Sequence, residues 1–170
     1  PQRSQQLAQL LNFDLHHADH RQLSQLVSDS IAIKEHIVAQ DPLEHGIRKA
    51  LNLGHTAGHA LESWALNRTP CLHGYAVAWG LICELYLSCT KTGFPTHTMR
   101  QTVRYIQQNY GTLPITCHDY QELYAYMTHD KKNTAGSINF TLLGNIGDIH
   151  INQTATQEEI YQMLDFFREG

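Results

Sequence analysis

Apolar residues recur every three or four positions through most of the chain, which is the spacing of amphipathic helices. The stretch 75–90 is apolar almost throughout and predicts a central buried helix, which the Gly-Phe-Pro run at 93–95 ends. Thr96 and Asp119 are candidate N-caps of later helices. Helices are predicted over these ranges: 4–11, 21–39, 75–90, 96–109, 118–128 and 157–168.

One segment has the alternation of a β-strand instead. From 137 to 143 apolar residues alternate with polar ones, and a glycine-containing turn at 144–148 leads to a returning strand at 149–151. We therefore expect a mainly α fold, a multi-helix domain with a small β-hairpin near the C-terminus. No repeat or linker divides the sequence, so residues 1–170 are expected to form a single domain.

Polar residues in the stretch 44–62 follow the spacing of a single helical face. At about 100° per residue they would lie within roughly 80° of one another on one helix. Solvated faces are usually rich in Lys, Glu and Gln, whereas Asn and His are poor helix formers and a glycine inside a helix costs about 1 kcal/mol. This composition favours a chemical role. The residues of this polar stripe are Glu44, Arg48, Asn52, His55, His59 and Glu62.

His55 and His59 have the H-x-x-x-H spacing of two metal ligands one helical turn apart. Thr56 stands where the zincin metalloproteases need Glu, which argues against their mechanism. Two imidazoles and a third ligand from elsewhere would suit a catalytic zinc site with an open position, and His73 strengthens this interpretation. Cys71 is a rival ligand, although a lone cysteine is more often a small buried hydrophobe.

Sequence runs around these histidines form a specific combination. The chain reads N-L-G-H-T-A-G-H-A-L-E at 52–62 and L-H-G-Y-A-V-A-W-G at 72–80. The run D-P-L-E-H-G-I-R-K-A-L-N lies upstream at 41–52, and H-D-K-K-N lies downstream at 129–133. Together they resemble the signature of the 3-dehydroquinate synthase family, over roughly 31–148. Each piece is weak by itself, but the combination is highly specific.

The resemblance implies a role for each matching position. The metal ligands would be His55 and His73. The catalytic residues, which transfer protons, would be Glu44 and His59. The substrate-binding positions would be Lys34, Arg48, Asn52, Lys131 and Lys132. Two adjacent lysines most often mark a solvated loop, but the resemblance makes this loop a candidate clamp in which one lysine meets a substrate anion as a point charge.

Other parts of the family's site have no counterpart in the sequence. The family's third protein ligand is a glutamate in an A-E-V-I-K motif, upstream of the matched region, and its NAD-binding domain lies upstream as well. Nothing in 1–33 resembles either. We therefore expect the chain to be the C-terminal metal- and substrate-binding domain of a larger two-domain enzyme, inactive alone. Tyr75 replaces the family's usual Glu after H-G, so no role is carried over to that position.

The implied activity is that of a phosphate-eliminating carbon–oxygen lyase in the shikimate pathway. It would convert 3-deoxy-D-arabino-heptulosonate 7-phosphate into 3-dehydroquinate and phosphate, with NAD and Zn²⁺ or Co²⁺, usually as a homodimer. A sugar-phosphate cyclase of the deoxy-inosose synthase type would share much of the metal site. A metal-dependent alcohol dehydrogenase of the glycerol dehydrogenase type would share the domain plan. A helical metal-binding domain without enzymatic activity is the remaining alternative.

Composition narrows the range of partners. The net charge of −4, with 16% charged residues, gives no electrostatic case for binding nucleic acid. No apolar run approaches the roughly 20 residues of a membrane span. The 4 cysteines form no C-x-x-C pair and no disulfide framework, so a reducing cytoplasm is the expected location.

Overall fold

A computed structural model of the chain describes residues 2–14, 16–17, 19–130 and 137–170, and it is mainly helical. Its helices are α1 Gln2–Leu11, α2 His20–Gln40, α3 His55–Leu66, α4 His73–Lys91, α5 Thr96–Tyr110, α6 Tyr120–Thr128 and α7 Gln157–Glu169. Two 3₁₀ helices span Ile47–Asn52 and Cys117–Asp119, and two strands span β1 Asn139–Asn145 and β2 Asp148–Thr154. The predicted fold class, a multi-helix chain with a small hairpin near its C-terminus, is confirmed.

The chain divides into two compact units, Pro1–Leu51 and Asn52–Gly170. The first unit holds α1 and α2. Helix α2 begins at Asp19, whose carboxylate accepts a hydrogen bond from the backbone N–H of Gln22 at 2.8 Å, and it ends just before an Asp-Pro pair. Whether the chain acts as one domain of a larger enzyme stays a prediction.

The single helix predicted over 44–62 is wrong, first because residues 44–46 form a turn ahead of the 3₁₀ helix. The carboxylate of Asp41 accepts hydrogen bonds from three backbone N–H groups between residues 45 and 48, at 2.7, 3.0 and 3.1 Å. The bond from Gly46, more than the others, holds the pKa of the Asp41 carboxyl below its usual range. Glu44 has a φ of 59°, in the left-handed region, which a right-handed helix cannot contain.

A second break lies between the 3₁₀ helix and α3. Gly54 has a φ of 82°, so its backbone is left-handed, and α3 begins only at His55. The polar stripe is therefore divided between a turn, a 3₁₀ helix and the first turns of α3. Gly54 is therefore not a costly residue inside a helix, as the helical pattern predicts, but the point where one helix stops and another starts.

Helix α4 is the centre of the second unit, as its apolar sequence predicts, and it contacts α3, α5, α7 and β1. Helices α3 and α4 approach closely because glycines lie where they cross. A Cβ atom on Gly80 would lie 2.0 Å from the carbonyl oxygen of Gly54 and 2.6 Å from the backbone nitrogen of Gly58. Large side chains fill the core around this crossing, among them Leu61, Ile82, Leu87, Leu123, Phe140 and Leu164.

The predicted hairpin is present and covers one side of α4. Strands β1 and β2 pair antiparallel, with Leu142 opposite His150, and Phe140 and Leu142 of β1 are buried. Ser88 of α4 fixes the hairpin, because its hydroxyl accepts a hydrogen bond from the backbone N–H of Leu143 at 3.0 Å.

Of the two predicted N-caps, Asp119 is confirmed in position and Thr96 is wrong. Thr96 is the first residue of α5, and Pro95 occupies the cap position. Asp119 does occupy the cap position of α6 but makes no side-chain bond to that helix. Its carboxylate instead accepts from the backbone N–H of Thr116 at 2.7 Å, which closes the preceding 3₁₀ turn. In the described part of the chain, every helix is too short or too polar to cross a membrane.

Candidate metal centre

Three histidine side chains of the second unit meet at one point. His55 is the first residue of α3, His59 lies one turn later, and His73 is the first residue of α4. One ring nitrogen from each lies within 4.8 Å of those of the other two, and the ring centroids are 5.4, 5.5 and 5.7 Å apart. Among the residues that the structure describes, only this group of histidine, cysteine and acidic side chains converges closely enough to hold a metal ion.

The two predicted metal ligands each direct Nδ1 toward an oxygen atom. Nδ1 of His55 lies 3.2 Å from the carbonyl oxygen of Leu53, and Nδ1 of His73 lies 3.1 Å from Oε2 of Glu62. A neutral imidazole that donates from Nδ1 carries its lone pair on Nε2, which is the form that coordinates a metal. Glu62, the last residue of the polar stripe, therefore orients a proposed ligand, a role that the sequence did not assign to it.

His59 is paired with a carboxylate that the sequence analysis gave no role. Oδ2 of Asp130 lies 3.5 Å from Nδ1 of His59, and the Asp130 side chain is only 7% exposed, whereas that of His59 is 40% exposed. Asp130 belongs to the run H-D-K-K-N, and its place in that run is the sequence feature that could have pointed to it. The family resemblance implies a role only for the two lysines of the run. Helix α6 brings it to α3, and no local sequence pattern predicts that contact.

A cavity of about 300 Å³ opens beside His59 and Glu62, lined also by Ser63, Leu66, Pro70 and Cys71. Burial raises the pKa of the Cys71 thiol, and the charge of Glu62 raises it further. A metal binds the thiolate rather than the thiol, so these surroundings disfavour Cys71 as a ligand. It also lies outside the group of converging ligand atoms. The imidazoles are therefore the better donors here.

The remaining predicted site residues lie elsewhere in the chain. Asn52 ends the 3₁₀ helix at the start of the second unit. In the first unit, Lys34 is exposed on α2, Glu44 lies in the turn, and the guanidinium of Arg48 donates to the carbonyl oxygen of Pro42 at 2.6 Å. The predictions for Lys131 and Lys132 lie outside the described residues.

Comparison with known proteins shows the family to which this chain belongs. The model of the 3-dehydroquinate synthase C-terminal family matches residues 3–133. The chain belongs to the 3-dehydroquinate synthase family. It is 52% identical to the 3-dehydroquinate synthase of Parabacteroides distasonis over 164 residues, which is 96% of this chain and 46% of that protein. It is 40% identical to the enzyme of Leptospira interrogans over 134 residues, 76% of this chain and 37% of that one.

Two synthases of known structure share the fold of this chain. A 2-deoxy-scyllo-inosose synthase, solved with carbaglucose-6-phosphate, NAD⁺ and Co²⁺, matches 88% of this chain and 41% of its own, with a TM-score of 0.69 and 23% identity. A 2-epi-5-epi-valiolone synthase from Streptomyces hygroscopicus, with NAD⁺ and Zn²⁺ bound, covers 87% and 40%, with a TM-score of 0.68 and 21% identity. The chain spans less than half the length of these relatives.

Proposed function

We propose that the chain is the metal- and substrate-binding part of a 3-dehydroquinate synthase. The full-length enzyme would convert 3-deoxy-D-arabino-heptulosonate 7-phosphate into 3-dehydroquinate and phosphate, as a lyase of the shikimate pathway. The observation that carries the proposal is the convergence of three histidines in a chain that is 52% identical to a curated synthase. Each of these histidines falls within the residues that the family model matches.

The donor set of this cluster fits a divalent transition metal. Neutral imidazoles are good ligands for Zn²⁺ and Co²⁺, and both proposed ligands, His55 and His73, have an oxygen partner at Nδ1 that favours coordination through Nε2. A third protein ligand would come from a part of the enzyme outside this chain. When bound, the ion supplies Lewis acidity that lowers the pKa of substrate hydroxyl groups.

His59 is the proposed proton-transfer residue of the cluster. It lies one turn from His55, its side chain is partly exposed, and Oδ2 of Asp130 lies 3.5 Å from its Nδ1. An imidazole whose Nδ1 proton is held by a carboxylate presents a basic Nε2 to the substrate, the arrangement that general acid–base catalysis needs. Glu44 is the second proposed catalytic residue. The proposed substrate-binding residues, which would orient an anionic sugar phosphate, are Lys34, Arg48, Asn52, Lys131 and Lys132.

NAD would be held by another domain of the same enzyme. In the described part of the chain the strands form a two-stranded antiparallel hairpin, whereas a dinucleotide usually binds at the edge of a parallel sheet. The related synthases that share this fold were solved with NAD⁺ and with Co²⁺ or Zn²⁺. We therefore propose an NAD-binding N-terminal domain as the partner of this chain. The homodimer and the cytoplasmic location stay predictions.

Phosphate release by the full-length enzyme tests the proposal against its alternatives. The protein, loaded with NAD and Co²⁺, is given the heptulosonate phosphate or glucose 6-phosphate, and inorganic phosphate is measured. Release from the first substrate alone supports a 3-dehydroquinate synthase. Release from glucose 6-phosphate alone would favour a cyclase of the deoxy-inosose type, and NADH formation from glycerol would favour a dehydrogenase. If the protein binds metal and NAD but turns over none of these substrates, the synthase, cyclase and dehydrogenase hypotheses are all contradicted.

A further inference from the structure

Glu84 is a carboxylate in the middle of the core. It lies on α4, it is 0% exposed, and it is the only charged side chain among the buried residues that the structure describes. Burying an ionised carboxylate costs several kcal/mol unless hydrogen bonds compensate for the lost water. It also stands within the otherwise apolar stretch 75–90, where a leucine would serve the core equally well. Its contacts explain its presence.

The two carboxylate oxygens of Glu84 bind the first turn of the neighbouring helix. Oε1 accepts from the backbone N–H of Gly54 at 2.9 Å, and Oε2 accepts from the backbone N–H of Ala57 at 3.0 Å. Gly54 is the N-cap residue of α3, and it has no side chain with which to cap that helix.

These two N–H groups are the ones that a capping box satisfies within a single helix. There, the N-cap side chain accepts from the third helical residue, whose own side chain accepts from the N-cap backbone. Glu84 makes both bonds from another helix. Its negative charge is also favoured at the N-terminus of α3, where the helix dipole is positive.

The approach of α4 to α3 depends on glycine. Gly80 lies one turn before Glu84, and a Cβ atom there would be 2.0 Å from the carbonyl oxygen of Gly54. Gly54 itself needs a positive φ and has the Leu81 side chain 3.0 Å from the position of a Cβ. Only with glycine at both positions can the carboxylate of Glu84 reach the backbone of α3.

The hydrogen bonds of Glu84 flank His55. One is made to the residue before His55 and the other to the second residue after it, so together they fix the backbone from which the ring projects. They also fix the rotation of the first turn of α3, and with it His59. We propose that Glu84 is a positioning residue that holds His55 in place for metal binding. This inference rests on the proposed function of the three-histidine cluster.

Cobalt binding by the full-length protein tests this inference. Glu84→Gln keeps the volume of the side chain but removes the charge, and its amide NH₂ must face a backbone N–H. Co²⁺ is titrated into metal-free protein, and its visible absorption is recorded together with the melting temperature. The matched control is Ser88→Ala, which lies one turn further along α4, is equally buried and makes no bond to α3. We expect Glu84→Gln to weaken cobalt binding by about 10- to 100-fold and to change the spectrum.

Ser88→Ala should lower the melting temperature but leave the cobalt affinity within about twofold, because it loosens the hairpin rather than α3. If both variants lose cobalt in proportion to their melting temperatures, Glu84 acts only on stability and the inference is overturned. Unchanged cobalt affinity in Glu84→Gln would overturn it too. Should Glu84→Gln fail to fold, Glu84→Met removes the buried charge and places no amide NH₂ against the backbone N–H groups of Gly54 and Ala57. Those two N–H groups lose their acceptor, so the same loss of cobalt is expected.

Cobalt binding by the wild-type protein distinguishes a failure of this inference from a failure of the proposed function. A wild type that binds no cobalt would overturn the proposed metal centre itself, and the inference with it. A wild type that binds cobalt, together with a Glu84→Gln variant that binds it equally well, would overturn the inference alone. Hydrogen exchange at the amides of Gly54 and Ala57 in metal-free protein gives a second readout, and we expect faster exchange in Glu84→Gln but not in Ser88→Ala.

Discussion

Asp130 and His59 form a carboxylate–histidine pair whose acid is buried and whose ring is not. The atoms Oδ2 and Nδ1 are 3.5 Å apart, and the side chains are 7% and 40% exposed. A buried carboxylate beside Nδ1 selects the tautomer that leaves Nε2 basic and stabilises the ring when it takes up a proton. In the proposed mechanism His59 would take and return a proton, while its two neighbours, His55 and His73, would bind the metal.

Replacing Asp130 with Asn should slow turnover without removing the metal. Asparagine has similar volume but loses the charge that supports a protonated imidazole, so we expect kcat to fall on the order of 100-fold with little change in KM or bound metal. Asp148→Asn is the matched control, because Asp148 makes a similar pair with His150, at 3.1 Å, on the hairpin. Steady-state kinetics and metal analysis of the full-length enzyme check this. Equal losses in both variants would contradict the assigned role.

The crossing of α3 and α4 predicts opposite effects for two glycines of the same helix. A Cβ on Gly80 would collide with the backbone of α3, whereas one on Gly74 would meet no atom within 4 Å. Gly80→Ala should lower the free energy of unfolding by on the order of 3 kcal/mol. Gly74→Ala should leave it unchanged or raise it by up to about 1 kcal/mol, since alanine favours a helix. Urea unfolding measures both, and a harmless Gly80→Ala would contradict the close packing.

The start of α7 predicts a pH-dependent contribution to stability. Lys91 donates to Glu159 at 2.6 Å, and this bond, together with that from the backbone of Thr156, holds the pKa of the Glu159 carboxyl below its ordinary value of 4.5. Because the pKa of this carboxyl is lower in the folded state, its ionised form stabilises the fold fully at pH values above 4.5. This stabilisation is lost as the pH falls through the pKa of the folded state.

Glu159→Gln keeps an acceptor for the capping box but removes the ion pair with Lys91. We expect it to cost about 0.5–1 kcal/mol at pH 7 and progressively less as the pH falls through the lowered pKa of the wild-type carboxyl, because the protonated carboxyl has no ion pair to lose. Thr156→Ala removes the hydroxyl that accepts from the Glu159 backbone, and it should cost about 1 kcal/mol across the same pH range. Urea unfolding with a chelator present compares them. A cost of Glu159→Gln that persists at low pH would contradict the ion-pair assignment.

The 170-residue chain by itself should show no synthase activity and bind metal more weakly than the full-length enzyme. In our account a third metal ligand and the NAD site come from outside it. The phosphate-release assay measures the first expectation, and a cobalt titration measures the second. Turnover by the isolated chain would show that catalysis needs neither an NAD site nor a metal ligand from outside these 170 residues.

Much of the fold follows from local pattern. Helices such as α4 and α7 and the hairpin could be predicted because apolar spacing and turn residues are properties of short segments. The break at Gly54 could not be predicted in this way. A glycine in a helical pattern can lie inside the helix, at a cost in free energy, or it can adopt a left-handed conformation that ends the helix. Only the close approach of α4, through Gly80, decides between them. The turn at Glu44 has a local cause, since the hydrogen bonds that the Asp41 carboxylate accepts from the backbone compete with helix formation.

The histidines of the site could be found from the sequence, but the groups that orient them could not. His55, His59 and His73 carry a recognisable spacing. Asp130 and Glu84 act across large separations in the chain, on a ring and on a backbone respectively, and periodicity says nothing about such contacts. A single acid within an apolar helix was nevertheless a usable signal for Glu84, because an ionised side chain is buried only where something binds it.

The metal content of three histidine variants is the decisive measurement for the proposed metal centre. Full-length protein carrying His55→Ala, His73→Ala or His59→Ala is purified, dialysed and analysed for bound metal, and turnover is measured on the same samples. We predict that the first two variants lose the metal, whereas His59→Ala retains it and loses turnover by about 100-fold or more. Unchanged metal in His55→Ala and His73→Ala would contradict the assignment of this cluster as the metal centre.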